Sequence, residues 1–115
     1  MKIDNLLINE IILLLDEKKA WNVTALDMRE ISSTSDYFII ANGSNKPHLK
    51  ALQESLLSFY KEKGLVKIIK TGTSESGWMI VDVDGIMVHL FDEELRDYYN
   101  LEDLWNDALK LLPKE

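Results

Sequence analysis

The sequence predicts an α/β chain of the α+β type: a single domain over residues 1–115, with a mixed five-stranded sheet and helices mainly on one face. Three observations predict it. Long segments repeat apolar residues at helical spacing, five short runs are rich in β-branched and aromatic residues, and the elements succeed one another as αββαβββα. A sheet covered by the long helices is the layered solution to that order. With 115 residues, 46% of them hydrophobic, the chain holds one such domain and buries roughly two-thirds of the surface its unfolded form exposes.

The first helix is expected over residues 4–19, where Ile3, Leu7, Ile11, Leu14 and Leu15 share one side and further leucines widen the stripe. Its single early lysine, its internal acids and the lack of a small-residue cleavage site read as mature protein rather than signal peptide. "WNVTALDM" (21–28) is a strand, "ISSTSD" (31–36) a loop, and "YFIIANGS" (37–44) a strand ending in glycine. In "NKPHLKALQESLLSFYKEKG" (45–64), Leu49, Leu52, Leu56 and Phe59 recur at helical spacing. Ser44 or Asn45 can cap this helix, Pro47 suits its first turn and Gly64 ends it. "LVKIIK" (65–70) is a third, shorter strand, and "TGTSESG" (71–77) a loop.

"WMIVDVDGIMVHLF" (78–91) reads as a hairpin turning at Asp84-Gly85, since a two-residue loop needs positive φ. That turn pairs Val83 with Ile86, Val81 with Val88 and Met79 with Leu90 on one face, an evident core. The other face carries Trp78, Ile80, Asp82, Met87, His89 and Phe91, with Trp78 opposite Phe91 and Ile80 opposite His89. "DEELRDYY" then offers one or two helical turns capped by Asp92. Asn100 is expected to cap a last helix whose Leu101, Leu104, Trp105, Ala108 and Leu112 form an apolar stripe.

The chain has no cysteine, which excludes disulfides and thiolate metal sites and points to a reducing, cytoplasmic compartment. No apolar run reaches the length of about 18 residues expected of a membrane span. A net charge of -7 opposes nucleic acid as the main contact and suits a basic protein partner. Asp92, Glu93, Glu94, Asp97, Glu102, Asp103 and Asp107 fall in one segment where Arg96 is the only cation. Several of these acids also suit the first turns of helices.

Gly43-Ser44 opening a helix, taken with Asp82 and Asp84, superficially resembles a nucleotidyltransferase pattern of phosphate cradle and metal-binding carboxylates. The spacing opposes it, because the acids lie beyond the next strand and Asp84 is needed by the turn. His48 and His89 are the only histidines and make a poor metal set. No cofactor is indicated, and no catalytic residue. The second sheet face remains: either the last helix covers it and Trp78 and Phe91 are core, or it is a patch for another protein or for a second copy in a homodimer.

The ordered set "SDYFIIANGSNKPHLKAL", Gly77-Trp78, "VHLF", Arg96 and "YNLEDLW" (99–105) resembles the Iojap, or ribosomal silencing factor (RsfS), family from about Trp21 to Ala108. The resemblance implies a non-enzymatic factor that binds the large ribosomal subunit through large-subunit ribosomal protein fourteen. Such a factor blocks joining of the small subunit and lowers translation when nutrients are short. It also implies a fold similar to the nucleotidyltransferase fold without its active site. Carried over by position, the partner-binding residues are Trp78, Ile80, His89, Phe91, Arg96, Tyr98, Tyr99, Leu101 and Glu102. Asp36 and Tyr37 match a further signature, or hold the start of their strand. The chain departs from the family pattern at Thr71-Gly72, where Glu-Gly is usual, and at Asp82-Val83-Asp84-Gly85, where Asp-Tyr-Gly-Asp is usual.

Overall fold

The computed structural model describes residues 6–31, 35–100 and the strand at 109–112. The elements are α1 (Leu6–Glu17), β1 (Trp21–Asp27), β2 (Tyr37–Gly43), α2 (Lys46–Glu62), β3 (Ile68–Thr73), β4 (Trp78–Val83), β5 (Ile86–Asp92), α3 (Glu93–Tyr99) and β6 (Leu109–Leu112). They build one mixed sheet in the order β3-β4-β5-β2-β1-β6. Among the described strands only β2 and β5 run parallel; the other neighbours are antiparallel.

The hairpin has the predicted register, with Val83 on Ile86, Val81 on Val88, Met79 on Leu90, Trp78 on Phe91 and Ile80 on His89. Asp84 and Gly85 take φ of 52° and 80°, the two positive values that a tight hairpin turn requires. The carbonyl of Gly85 accepts from Asp36 N at 2.8 Å and Tyr37 N at 3.1 Å. Asp36 and Tyr37 therefore pin the start of β2 to the turn.

The long helices cover one face. Ile8, Ile11 and Leu15 of α1 and Leu49, Leu52, Leu56 and Tyr60 of α2 are fully buried against Ile39, Val81, Val88 and Leu90 of the sheet. Tyr60, rather than the expected Phe59, completes the α2 stripe. Asn45 is the cap: its Oδ1 accepts from His48 N at 2.9 Å. His48 also ties the helices together. Its Nδ1 accepts from Ser44 N at 2.9 Å, so Nε2 carries the proton, donating to the Lys18 carbonyl at 2.7 Å.

Two expectations need correcting. β3 begins at Ile68, not Leu65, and runs through Thr73, because β4 offers a partner for all six residues. The loop then shortens to a 3₁₀ turn at Ser74–Ser76, closed by a Thr73–Ser76 capping box. The expected last helix does not reach Leu112: Leu109–Leu112 pair with β1 as a strand, where bonding an otherwise open sheet edge outweighs the helical periodicity of the leucines. The rest of that helix was placed on residues 101–108, outside the described residues. Asn100 itself closes α3, with φ of 47°.

Candidate functional site: an aromatic groove on the second sheet face

The face opposite α1 and α2 has a small core of its own. Leu26, Met28, Phe38, Ile40 and Phe91 are buried there, and Trp78, Met87 and Leu95 pack half-buried against them. The face is therefore less open than its sequence suggested. What stays accessible is a mainly apolar groove of about 480 Å³ lined by Thr71, Gly72, Ser76, Trp78, Ile80, Leu95 and Tyr99.

Trp78 is its floor. The indole stacks on Phe91, with centroids 4.9 Å apart and planes at 23°, and meets Tyr99 at 4.8 Å. Its Nε1–H donates to His89 Nδ1 at 3.2 Å, which requires a neutral imidazole protonated at Nε2. His89 is 3% exposed and packs on Phe38 at 4.7 Å. Burial pulls its pKa down to about 4, so the acceptor state holds at neutral pH. Gly77 sets where the tryptophan strand begins. It has φ of 79°, and a Cβ there would meet the Asp92 carboxylate at 2.3 Å, so a side chain would push β4 away from the start of α3.

Arg96 holds α3 to the sheet from within. The residue is 3% exposed, and its guanidinium donates to Asn42 Oδ1 at 2.9 Å, to Thr24 Oγ1 at 2.8 Å and to the Asn22 carbonyl. The third acceptor exists because β1 bulges between Trp21 and Thr24, where Asn22 takes φ of 53°. Asp92 caps the same helix, its Oδ1 accepting from Leu95 N at 2.8 Å. Glu93 and Glu94 fill the first turn. These acids complement the helix dipole and also line an acidic recess with Ser44, Asn45, Lys46 and Asp97.

The fold thus divides the residues singled out in the sequence. Trp78, Ile80 and Tyr99 meet in the groove, and Tyr98 stands beside it, 78% exposed. His89 and Phe91 lie beneath the indole, and Arg96 lies behind α3; these three support the surface rather than form it. Leu101 and Glu102 fall outside the described residues. Sequence reasoning missed Leu95, whose only signal was a lone apolar position among the acids of α3, and Ser76. Thr71 lines the groove, so that departure from the family pattern alters its wall, whereas Val83 is buried in the helix-side core.

The nucleotidyltransferase alternative is overturned by register. Gly43 sits opposite Asp92 of β5, while Asp82 sits opposite Met87. Five residues of strand, about 16 Å, separate the two halves of the supposed site. Moreover, Ser44 N already donates to His48. Among the described residues no group of His, Asp or Glu is placed to hold a metal ion.

The fold and the groove define a class: a small mixed-sheet domain with its long helices on one face and an aromatic cleft, flanked by acids, on the other. The chain belongs to the ribosomal silencing factor family. The sequence model described as "Ribosomal silencing factor during starvation" matches residues 2–115. The chain is 38% identical over 93 residues to the ribosomal silencing factor RsfS of Bacillus subtilis, covering 81% of this chain and 79% of that one. It is 30% identical to the mouse protein named "Mitochondrial assembly of ribosomal large subunit protein 1", over 85% of this chain but 44% of the mouse one. Its fold is similar to a crystal structure of a Chromobacterium violaceum protein, with a TM-score of 0.82, 30% identity and coverage of 92% and 88%. A Bacillus halodurans crystal structure matches with a TM-score of 0.76, 34% identity and coverage of 86% and 92%.

Proposed function

We propose that this chain is a cytoplasmic, non-enzymatic translation repressor that binds the large ribosomal subunit through large-subunit ribosomal protein fourteen and thereby blocks joining of the small subunit when nutrients are limiting. The observation that carries this reading is the groove, in a chain whose family membership supplies the ribosome. A preformed aromatic cleft with Trp78 at its floor has the make-up of a binding hot spot. Trp78, Ile80, Tyr98 and Tyr99 make the contact, with Leu101 and Glu102 continuing it; His89, Phe91 and Arg96 hold those residues in place. The acids of α3 speed encounter with a Lys- and Arg-rich partner.

Co-sedimentation with isolated large and small subunits tests the proposal. The wild type should travel with the large subunit only. Trp78→Ala should lose about 2 kcal/mol of binding, roughly thirtyfold in affinity. Because the indole stacks on Phe91 and bonds His89, that variant also loses some stability, so melting curves accompany the assay and Trp78→Phe keeps the stack without the bond. Wild type that ignores both subunits would sink the reading.

A further inference from the structure

The strand that forms one wall of the groove is also an edge of the sheet. Among the described residues β3 pairs with β4 on one side only, and Ile69 to Thr73 are exposed along it. Residues 61–70 carry four lysines (Lys61, Lys63, Lys67 and Lys70) against the single acid Glu62, in a chain whose net charge is -7. Lys63 is engaged with Glu10 at 2.6 Å. Lys67 and Lys70 are exposed, and among the described residues neither has an acidic partner. They lie within about 10 Å of each other along the chain. Lys70 pairs with Val81 and so stands on the helix-side face of this edge, one residue before Thr71 and Gly72, which line the groove.

We infer that the β3 edge, through Lys67 and Lys70, docks on phosphates of ribosomal RNA beside the protein that fills the groove. This rests on the proposed function and extends it to a second contact. Charge selects the occupant. Residues 92–97 carry four acids against Arg96, and residues 61–70 four lysines against Glu62. The first segment therefore suits a basic protein and the second a polyanion, with Asp82 of β4, opposite Ile69, as the acid beside the lysines. In an antiparallel pairing of β3 with a second copy, a register that sets Lys67 against Lys70 of the copy would bring like charges together, and these repel. An RNA backbone meets no such repulsion.

The experiment measures binding of the full chain to isolated large subunits over a series of monovalent salt concentrations. Lys67→Gln/Lys70→Gln is compared with the wild type and with Lys18→Gln/Lys50→Gln, which removes the same charge from the helical side. Two phosphate contacts predict that the slope of log affinity against log salt is shallower by about 1.5 in the β3 variant and unchanged in the control. Binding to the isolated ribosomal protein should be equal for all three. A photo-crosslinker at position 67 should label RNA. Equal slopes for the two variants, label on protein alone, or a salt-sensitive dimer of the free chain weakened by Lys67→Gln/Lys70→Gln would overturn the inference. Wild type that binds subunits with an unaltered slope in the β3 variant removes only this contact; wild type that fails to bind removes the proposed function with it.

Discussion

The two faces of the sheet are built from different chemistry. The face beneath α1 and α2 is mainly aliphatic: Ile8, Ile11, Leu15, Leu52, Leu56, Val81, Val88 and Leu90 are all 0% exposed, with Tyr60 the one fully buried ring there among the described residues. The other face mixes aromatic rings with polar groups whose bonds are specified one by one, Trp78 to His89 and Arg96 to Thr24 and Asn42. Aliphatic packing is non-directional and supplies the bulk of stability. Directional bonds fix where a surface sits. One face holds the molecule together, then, while the other holds a groove in shape, and variants on the two should separate stability from binding.

The largest stability effect belongs to the aliphatic face. Leu90→Ala should cost about 3 kcal/mol through lost burial and a residual cavity, read from the denaturant midpoint. Binding by the fraction still folded should be little changed, since Leu90 points away from the groove. Arg96→Met tests the rule from the other side. It strips one donor group from three acceptors, a loss of about 2–3 kcal/mol when polar groups stay buried without partners. Unlike Leu90→Ala it should also weaken subunit binding, because α3 carries Leu95 and Tyr99 into the groove. Arg96→Lys should recover little, since an ammonium cannot span the same acceptors. If Arg96→Met lowered stability and left binding intact, the division between the faces would fail.

A titration sharpens the comparison further. His89 has a folded pKa of about 4, lowered by burial, against about 6.5 when unfolded. Between those values the unfolded chain binds a proton that the folded chain does not. Stability contributed by neutral His89 is thus complete above pH 6.5, declines as pH falls, and has gone by about pH 4. The difference between pH 7 and 5 is about 2 kcal/mol, and His89→Phe should flatten the urea-midpoint profile by that amount. An unchanged profile in His89→Phe would mean that some other group carries the acid sensitivity.

How far the sequence was legible follows the same divide. The helix-side core was largely readable because period-3.6 and period-2 patterns report burial directly: the hairpin register matches, and Tyr60 takes the place of Phe59 in α2. In α1, Ile11 and Leu15 are buried as expected, while Ile8, which was not singled out, is buried in preference to the half-buried Leu7 and Leu14; Ile3 lies outside the described residues. Asp84-Gly85 fixed the register, and with it the placing of Trp78 over Phe91. The second face was harder, since alternation alone cannot distinguish an open patch from a second small core. Its closure depends on Leu26, Met28 and Phe38, which approach from β1, the residue after it and β2, all distant in sequence from the hairpin. Arg96 was singled out by resemblance, but its burial depends on a bulge at Asn22 that no local pattern announces. The β6 strand was hidden for a like reason, because leucines at helical spacing say nothing about a vacant sheet edge.

The smallest stability effect should come with a clear loss of binding. Tyr98 is 78% exposed, and its ring meets the protein edge-on at Tyr99, 5.1 Å between centroids. Removing so exposed a ring should change stability by no more than about 0.5 kcal/mol. A tyrosine standing at the lip of an aromatic groove is nonetheless the residue type that interfaces favour, and Tyr98→Ala should weaken large-subunit binding by about 1 kcal/mol or more, measured beside an unaltered melting curve. Equal affinity for wild type and Tyr98→Ala would confine the contact to the groove itself, Tyr99 included, and leave Tyr98 outside it.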